Sequence, residues 1–145
     1  MTRAGSQGAM DTTRLADRLH GAYVGRAHVR EGKPLAAGTH SLPEPDIAVV
    51  RGDVGAYAER HPTGADALLV VELAWFSQEE DRRKAHVYAA AGVFVYWLVD
   101  LAARKLELRV KPEAGAYRVV EILGEDDVIP LPKLGEEWSV RDLLP

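Results

Sequence analysis

The sequence predicts one α/β domain, a mixed β-sheet flanked by helices. Three observations carry this. Residues 67–74 read Ala-Leu-Leu-Val-Val-Glu-Leu-Ala, apolar at successive positions rather than alternating, the pattern of a central strand covered on both faces. Residues 78–91 predict a helix, opening on Glu79, Glu80 and Asp81, which suit the positive end of a helix, and closing on Gly92 at a C′ position. A second apolar run, 93–99, follows. If the two strands pair in parallel, the helix between them is a right-handed crossover.

The remaining elements fall around this unit. Residues 1–10 are small and polar and predict a ragged end, leaving 11–145 as the domain. Thr12 or Thr13 can cap a helix over 14–22, with Leu15, Leu19 and Ala22 on one stripe. Residues 23–42 predict one or two short strands, with turns at Glu31-Gly32 and Ala37-Gly38. Ile47 to Val50 is a strand introduced by Pro43-Glu44-Pro45-Asp46. Glycines and Pro62 make 52–66 a loop with a helical turn near 56–60. Strands at 105–110 and 117–123 form a meander, 128–134 is punctuated by proline, and Ser139 can cap a last turn over 140–144.

Composition removes several classes of function. The 145 residues suit a single domain, and 47% hydrophobic with 28% charged residues is a globular balance. The absence of cysteine excludes a disulfide scaffold, Cys-ligated zinc, an iron–sulfur cluster and a Cys nucleophile. No apolar run approaches a membrane span, and Met1 to Met10 lack the apolar segment of a secretory signal, so a cytoplasmic protein is expected. The net charge of −4 divides as +2 over 1–45 (6 basic, 4 acidic) and −3 over each of 46–95 (5 and 8) and 96–145 (7 and 10). That is not the basic footprint of a dedicated nucleic-acid binder. Phosphate-loop, dinucleotide and serine-elbow glycine motifs are missing, and the five histidines form no His-x-x-x-His pair.

Three charges stand at apolar positions. Alternation puts Glu72 on one strand face with Leu68, Val70 and Ala74, where a carboxylate needs a partner or a metal. Asp46 opens the 47–50 strand. Alone it reads as turn chemistry, but with Glu72 it places two carboxylates at two strands of one sheet. Carboxylates plus a main-chain carbonyl make a hard-oxygen site suited to Mg²⁺ or Mn²⁺. Lys84 shares a helix face with Asp81, Ala85 and Tyr88. It reads either as an Asp81–Lys84 ion pair or as an ammonium aimed at the acid pair or a substrate phosphate. Tyr96 and Trp97 read as core and rim of their strand, His86 as solvated, and His40 as a loop residue near the acidic segment.

Pro43-Glu44-Pro45-Asp46-Ile47-Ala48-Val49-Val50 resembles the first motif of a large family of uncharacterised bacterial proteins. They are assigned to the restriction-endonuclease-like fold, the PD-(D/E)XK nuclease superfamily, and are especially abundant in cyanobacteria. Leu69-Val70-Val71-Glu72-Leu73 looks like its second-acid strand. Residues 81–93, running into Tyr96-Trp97-Leu98-Val99-Asp100, resemble its helix and next strand. Tyr117, Leu131-Pro132 and 139–144 extend the resemblance to the end of residues 43–145. The resemblance implies that Asp46, Glu72 and the Leu73 main-chain carbonyl hold Mg²⁺ or Mn²⁺, with Lys84 catalytic and Glu44, Asp81 and Tyr88 in support. The implied partner is nucleic acid, DNA first, and the activity a metal-dependent, endonuclease-like phosphodiesterase.

The chain also departs from the pattern. The superfamily places its third residue, a lysine, two positions after the second acid, where this chain has Ala74. Of the serines usual after that acid, only Ser77 remains. Phe94-Val95 replaces a usual Pro-Glu, and the N-terminal part is short. A catalytically silent binding or assembly module on the same fold is therefore the alternative. Trp75-Phe76 as an exposed patch would suit a homodimer.

Overall fold

The computed structural model describes residues 5–76 and 79–145. The expectations for residues 1–4, Ser77 and Gln78 lie outside the described residues. A helix α1 (Gly5–Tyr23) is followed by β1 (Ala27–Glu31), β2 (Ile47–Arg51) and β3 (Ala67–Ala74). Then come α2 (Glu79–Ala90), β4 (Val95–Asp100), β5 (Lys105–Glu113) and β6 (Ala116–Leu123). A hairpin of β7 (Val128–Leu131) and β8 (Glu136–Ser139) leads into a 3-10 turn, Val140–Leu143.

Strands β1 to β6 form one sheet in sequence order. Every pairing is antiparallel except β3 with β4, which α2 connects and which run parallel. All eight residues of β3 are buried, which explains its unbroken apolar run. One core lies on the α1 side, where Leu15, Leu19 and Tyr23 meet Ile47, Val49, Val71 and Trp97. The hairpin and final turn close this side through Ile129, Leu131, Val140 and Leu143. The Tyr23 hydroxyl donates to the Pro132 carbonyl at 2.7 Å, and the Arg18 guanidinium lies 4.5 Å from the Trp138 ring centre. The second core lies under α2 and gathers Leu35, Ala48, Val70, Ala85, Tyr88 and Tyr96.

Several expectations are corrected. Helix α1 begins at Gly5, well before residue 14, and so takes in part of the segment expected to be ragged. The 52–66 loop carries its 3-10 turns at Val54–Tyr57 and Gly64–Asp66, not at 56–60. Asp53 caps the first by accepting from the Ala56 N–H at 3.2 Å. The proline-punctuated 128–134 stretch is the first half of a hairpin. Ser139 precedes the last turn without making a side-chain capping bond.

Strict alternation also fails once in β3. Val49 pairs with Leu69 but Val50 pairs with Ala67, so Leu68 is an extra, bulged residue. Leu68 therefore packs beside Leu69 in the α1-side core, not with Val70 and Glu72.

Candidate active site

The site begins where β2 begins. Pro45 has no N–H to offer a ladder, so pairing with β3 starts at Ile47, opposite Val71. Asp46 is thus left just beyond the ladder, beside residues 72 and 73. The Asp46 N–H donates to Glu72 Oε1 at 3.0 Å, and Asp46 Oδ2 accepts from the Leu73 N–H at 2.9 Å. The N–H and C=O of a strand residue project to the same side, so Leu73 presents its carbonyl on this Asp46 edge. Just after β1, Gly32 donates its N–H to the Asp46 carbonyl at 3.0 Å.

Helix α2 supplies the other wall. Its buried positions are Asp81, Ala85, Tyr88 and Ala89, a helical stripe. The Tyr88 hydroxyl donates to Glu72 Oε2 at 2.8 Å. Lys84 Nζ lies 3.4 Å from the same oxygen and 3.5 Å from Asp81 Oδ1, so the ammonium makes the i,i+3 pair with Asp81 and also faces Glu72. Tyr96, from β4, donates its hydroxyl to the Asp81 carbonyl at 2.8 Å and ties the start of the helix to the sheet.

The charges here are strained by burial. Glu72 is 1% exposed. Burial first, then the neighbouring Asp46 charge, pushes its carboxyl up to about 7, against the pull of Lys84, the Asp46 N–H and the Tyr88 hydroxyl. Asp81, 2% exposed, is raised by burial despite Lys84, and its Oδ2 has no partner among the described residues. Burial works against the Lys84 charge, but Glu72 and Asp81 outweigh it and hold the ammonium above its usual range. Tyr88 and Tyr96 are pushed far up by burial and the nearby acids, so they act as neutral donors.

These residues fit a hard divalent ion. Two carboxylates and a carbonyl meet at one corner, each carboxylate oxygen keeps lone pairs beyond its observed bond, and the Asp46–Glu72 repulsion is what a dication would relieve. Among the described residues no three His, Asp or Glu side chains converge as a metal cage. A Mg²⁺-type site needs none, because it uses one or two carboxylates and keeps its waters.

The structure therefore brings Asp46, Glu72, Leu73, Lys84, Asp81 and Tyr88 together. It leaves Glu44 exposed and, among the described residues, without a hydrogen bond or ion pair. His40 is exposed in its loop, and His86 meets the Gly115 carbonyl at 3.1 Å rather than solvent alone. Tyr96 and Trp97 are both fully buried. Trp75 is half-buried and donates to Asp11 Oδ2 at 3.0 Å, so of the pair expected as a surface patch only Phe76, 75% exposed, lies on the surface. Sequence reasoning missed the main-chain donors of Asp46 and Leu73, for which no side-chain signal exists. It also missed Tyr96 as the clamp on α2, although a hydroxyl in an apolar strand implies a partner.

This architecture is shared with a solved structure. The crystal structure of a putative nuclease belonging to DUF820, from Anabaena variabilis, superposes with a TM-score of 0.78 at 16% identity, covering 97% of this chain and 81% of that one. The likeness establishes the restriction-endonuclease-like fold. The sequence matches the Uma2 family, described as "Putative restriction endonuclease", over residues 1–143, and the chain belongs to that family. The match takes in the N-terminal part that the resemblance over 43–145 left out. No curated protein matches the chain.

Proposed function

We propose that this protein is a metal-dependent nuclease that hydrolyses phosphodiester bonds, with DNA as its substrate. The observation that carries the reading is the convergence of Asp46, Glu72 and Lys84, from just before β2, from β3 and from α2. Family membership supports it. Asp46, Glu72 and the Leu73 carbonyl would hold Mg²⁺ or Mn²⁺, which when bound supplies Lewis acidity and an acidified water. Lys84 brings positive charge to the same corner and stabilises the charge that develops on the phosphate. Tyr88 fixes the Glu72 carboxylate by its hydrogen bond, and Asp81 shares the Lys84 ammonium, so both are positioning residues.

The test is a cleavage assay with Mg²⁺ or Mn²⁺ on supercoiled, linear and single-stranded DNA and on RNA. Glu72→Ala and Lys84→Ala proteins are purified in parallel. Cleavage that requires metal and disappears in both variants is the expected result. Full activity in either folded variant overturns the assignment of these residues. Silence of the wild type on every substrate overturns the nuclease reading and favours the binding module.

A further inference from the structure

The site is acidic and the chain carries a net charge of −4, so a polyanionic substrate must find cations elsewhere on the approach. The sheet says where to look. Val29 packs in the α1-side core, so the residues on either side of it in β1, His28 and Arg30, point to the α2 side. Arg30 pairs in register with Ala48, and Ala48 belongs to the α2-side core. Asp46 lies two residues before Ala48. The Cα atoms of Arg30 and Asp46 are therefore about 8 Å apart, one strand across and two residues along.

The Arg30 guanidinium is not consumed by an acid. Among the described residues it makes no ion pair, and Nη2 donates only to the Pro34 carbonyl, at a long 3.4 Å. It lies 5.8 Å from the centre of the Tyr57 ring, and the Arg60 guanidinium lies 5.2 Å from the same centre. Tyr57 is anchored at both ends, its ring packed on the α2-side core and its hydroxyl donating to the Arg51 carbonyl. Arg60 is exposed and pairs with Asp66 at 2.9 Å, through one of its two terminal nitrogens. Tyr57 thus gathers two guanidinium groups beside one ring, and arginine binds phosphate through several donors in one plane.

We propose that Arg30 and Arg60, held against Tyr57, are the backbone contacts that lay a nucleic-acid strand across the α2 side of the sheet toward Asp46 and Glu72. This rests on the nuclease reading and adds to it the track of the substrate. Charge complementarity selects the occupant: a regularly spaced polyphosphate beside an acidic centre.

The test uses fluorescence anisotropy of a short labelled duplex and of a single strand, with Ca²⁺ replacing the active metal, followed by steady-state cleavage. The proteins are wild type, Arg30→Ala, Arg30→Glu, Arg30→Lys, Arg60→Ala and the double alanine variant, each checked for a wild-type melting transition. Each alanine substitution is expected to weaken binding severalfold and to lower the slope of log affinity against log salt by about 1. KM should rise while kcat holds. Arg30→Glu should be worse than Arg30→Ala, and Arg30→Lys should recover part of the loss, a ranking by charge that a packing role would not produce. If wild type cleaves DNA and the double variant keeps wild-type affinity, salt slope and KM, this inference falls and the nuclease reading stands. If wild type neither binds nor cleaves any nucleic acid, or prefers an acidic peptide, both fall.

Discussion

Asp46 and Glu72 are held reciprocally: the main chain of Asp46 donates to the Glu72 carboxylate, and the Asp46 carboxylate accepts from Leu73, the residue after Glu72. Neither acid can turn away without breaking a bond that the other strand makes. Two carboxylates are thereby kept close, and burial first, then the neighbouring Asp46 charge, raises the Glu72 carboxyl.

Such a pair should be relieved by a dication. Mn²⁺ at about a hundred times its Kd should stabilise the wild type by about 2.7 kcal/mol, read as a rise in Tm. Asp46→Asn should lose most of that rise. An equal rise in the variant would place metal binding elsewhere.

Tyr88→Phe removes one donor from Glu72 Oε2 and leaves Lys84, at 3.4 Å, as its remaining described partner. The expected cost is about 1–3 kcal/mol in chemical denaturation, because the lost bond went to a charged, buried group. Cleavage should fall through a mobile Glu72. A variant as stable and as active as wild type would remove Tyr88 from the supporting set.

A different acid sets part of the pH dependence. Glu107 is buried on β5, where it accepts from Arg82 Nε and Arg109 Nη2, each at 2.9 Å. Burial raises its carboxyl, but the two arginines outweigh that and bring it below the usual range. A depressed acid stabilises the fold above its unfolded pKa of about 4.3, and that contribution is lost as pH falls through the folded value. Stability should therefore decline below about pH 4.3, and Glu107→Gln should flatten this decline. The variant should also cost about 1–3 kcal/mol at neutral pH. Urea midpoints across the acid range test both statements; identical pH profiles would contradict them.

Gly64 marks a close approach between the loop before β3 and the end of α2. A Cβ placed on it would collide with the Ala91 carbonyl, a backbone atom that cannot swing aside. Gly64→Ala should destabilise by about 1–3 kcal/mol, measured by denaturant midpoint. A neutral effect would show that the loop and helix can separate without cost.

The sheet and its central unit were legible in the sequence because hydrophobic patterning alone specifies them. The 67–74 run is covered on both faces as its pattern predicts, and the parallel pairing with 95–100 around α2, which the pattern left conditional, is the one observed. Glu72 was conspicuous for the same reason, a charge in a strand with no wet face. The stripe of Asp81, Lys84, Ala85 and Tyr88 followed from the helical period. Other features depend on contacts between distant segments and leave no local trace. The bulge that turns Leu68 to the α1 side is set by the register with β2. Trp75 is drawn inward by Asp11, 64 residues earlier. Glu44 sits in the same motif as Asp46 yet points into no described contact, which motif spacing cannot reveal.

The strand–helix–strand unit, the acids that violate its apolar pattern and the residue types suited to a hard cation follow from period, burial and charge along the chain. That Asp46 and Glu72 brace one another, that Lys84 stands between two buried acids, and that Arg30 and Arg60 share Tyr57 emerges with folding. The Asp81–Lys84 pair lies within α2, but the other contacts are distances between segments, fixed by register and packing.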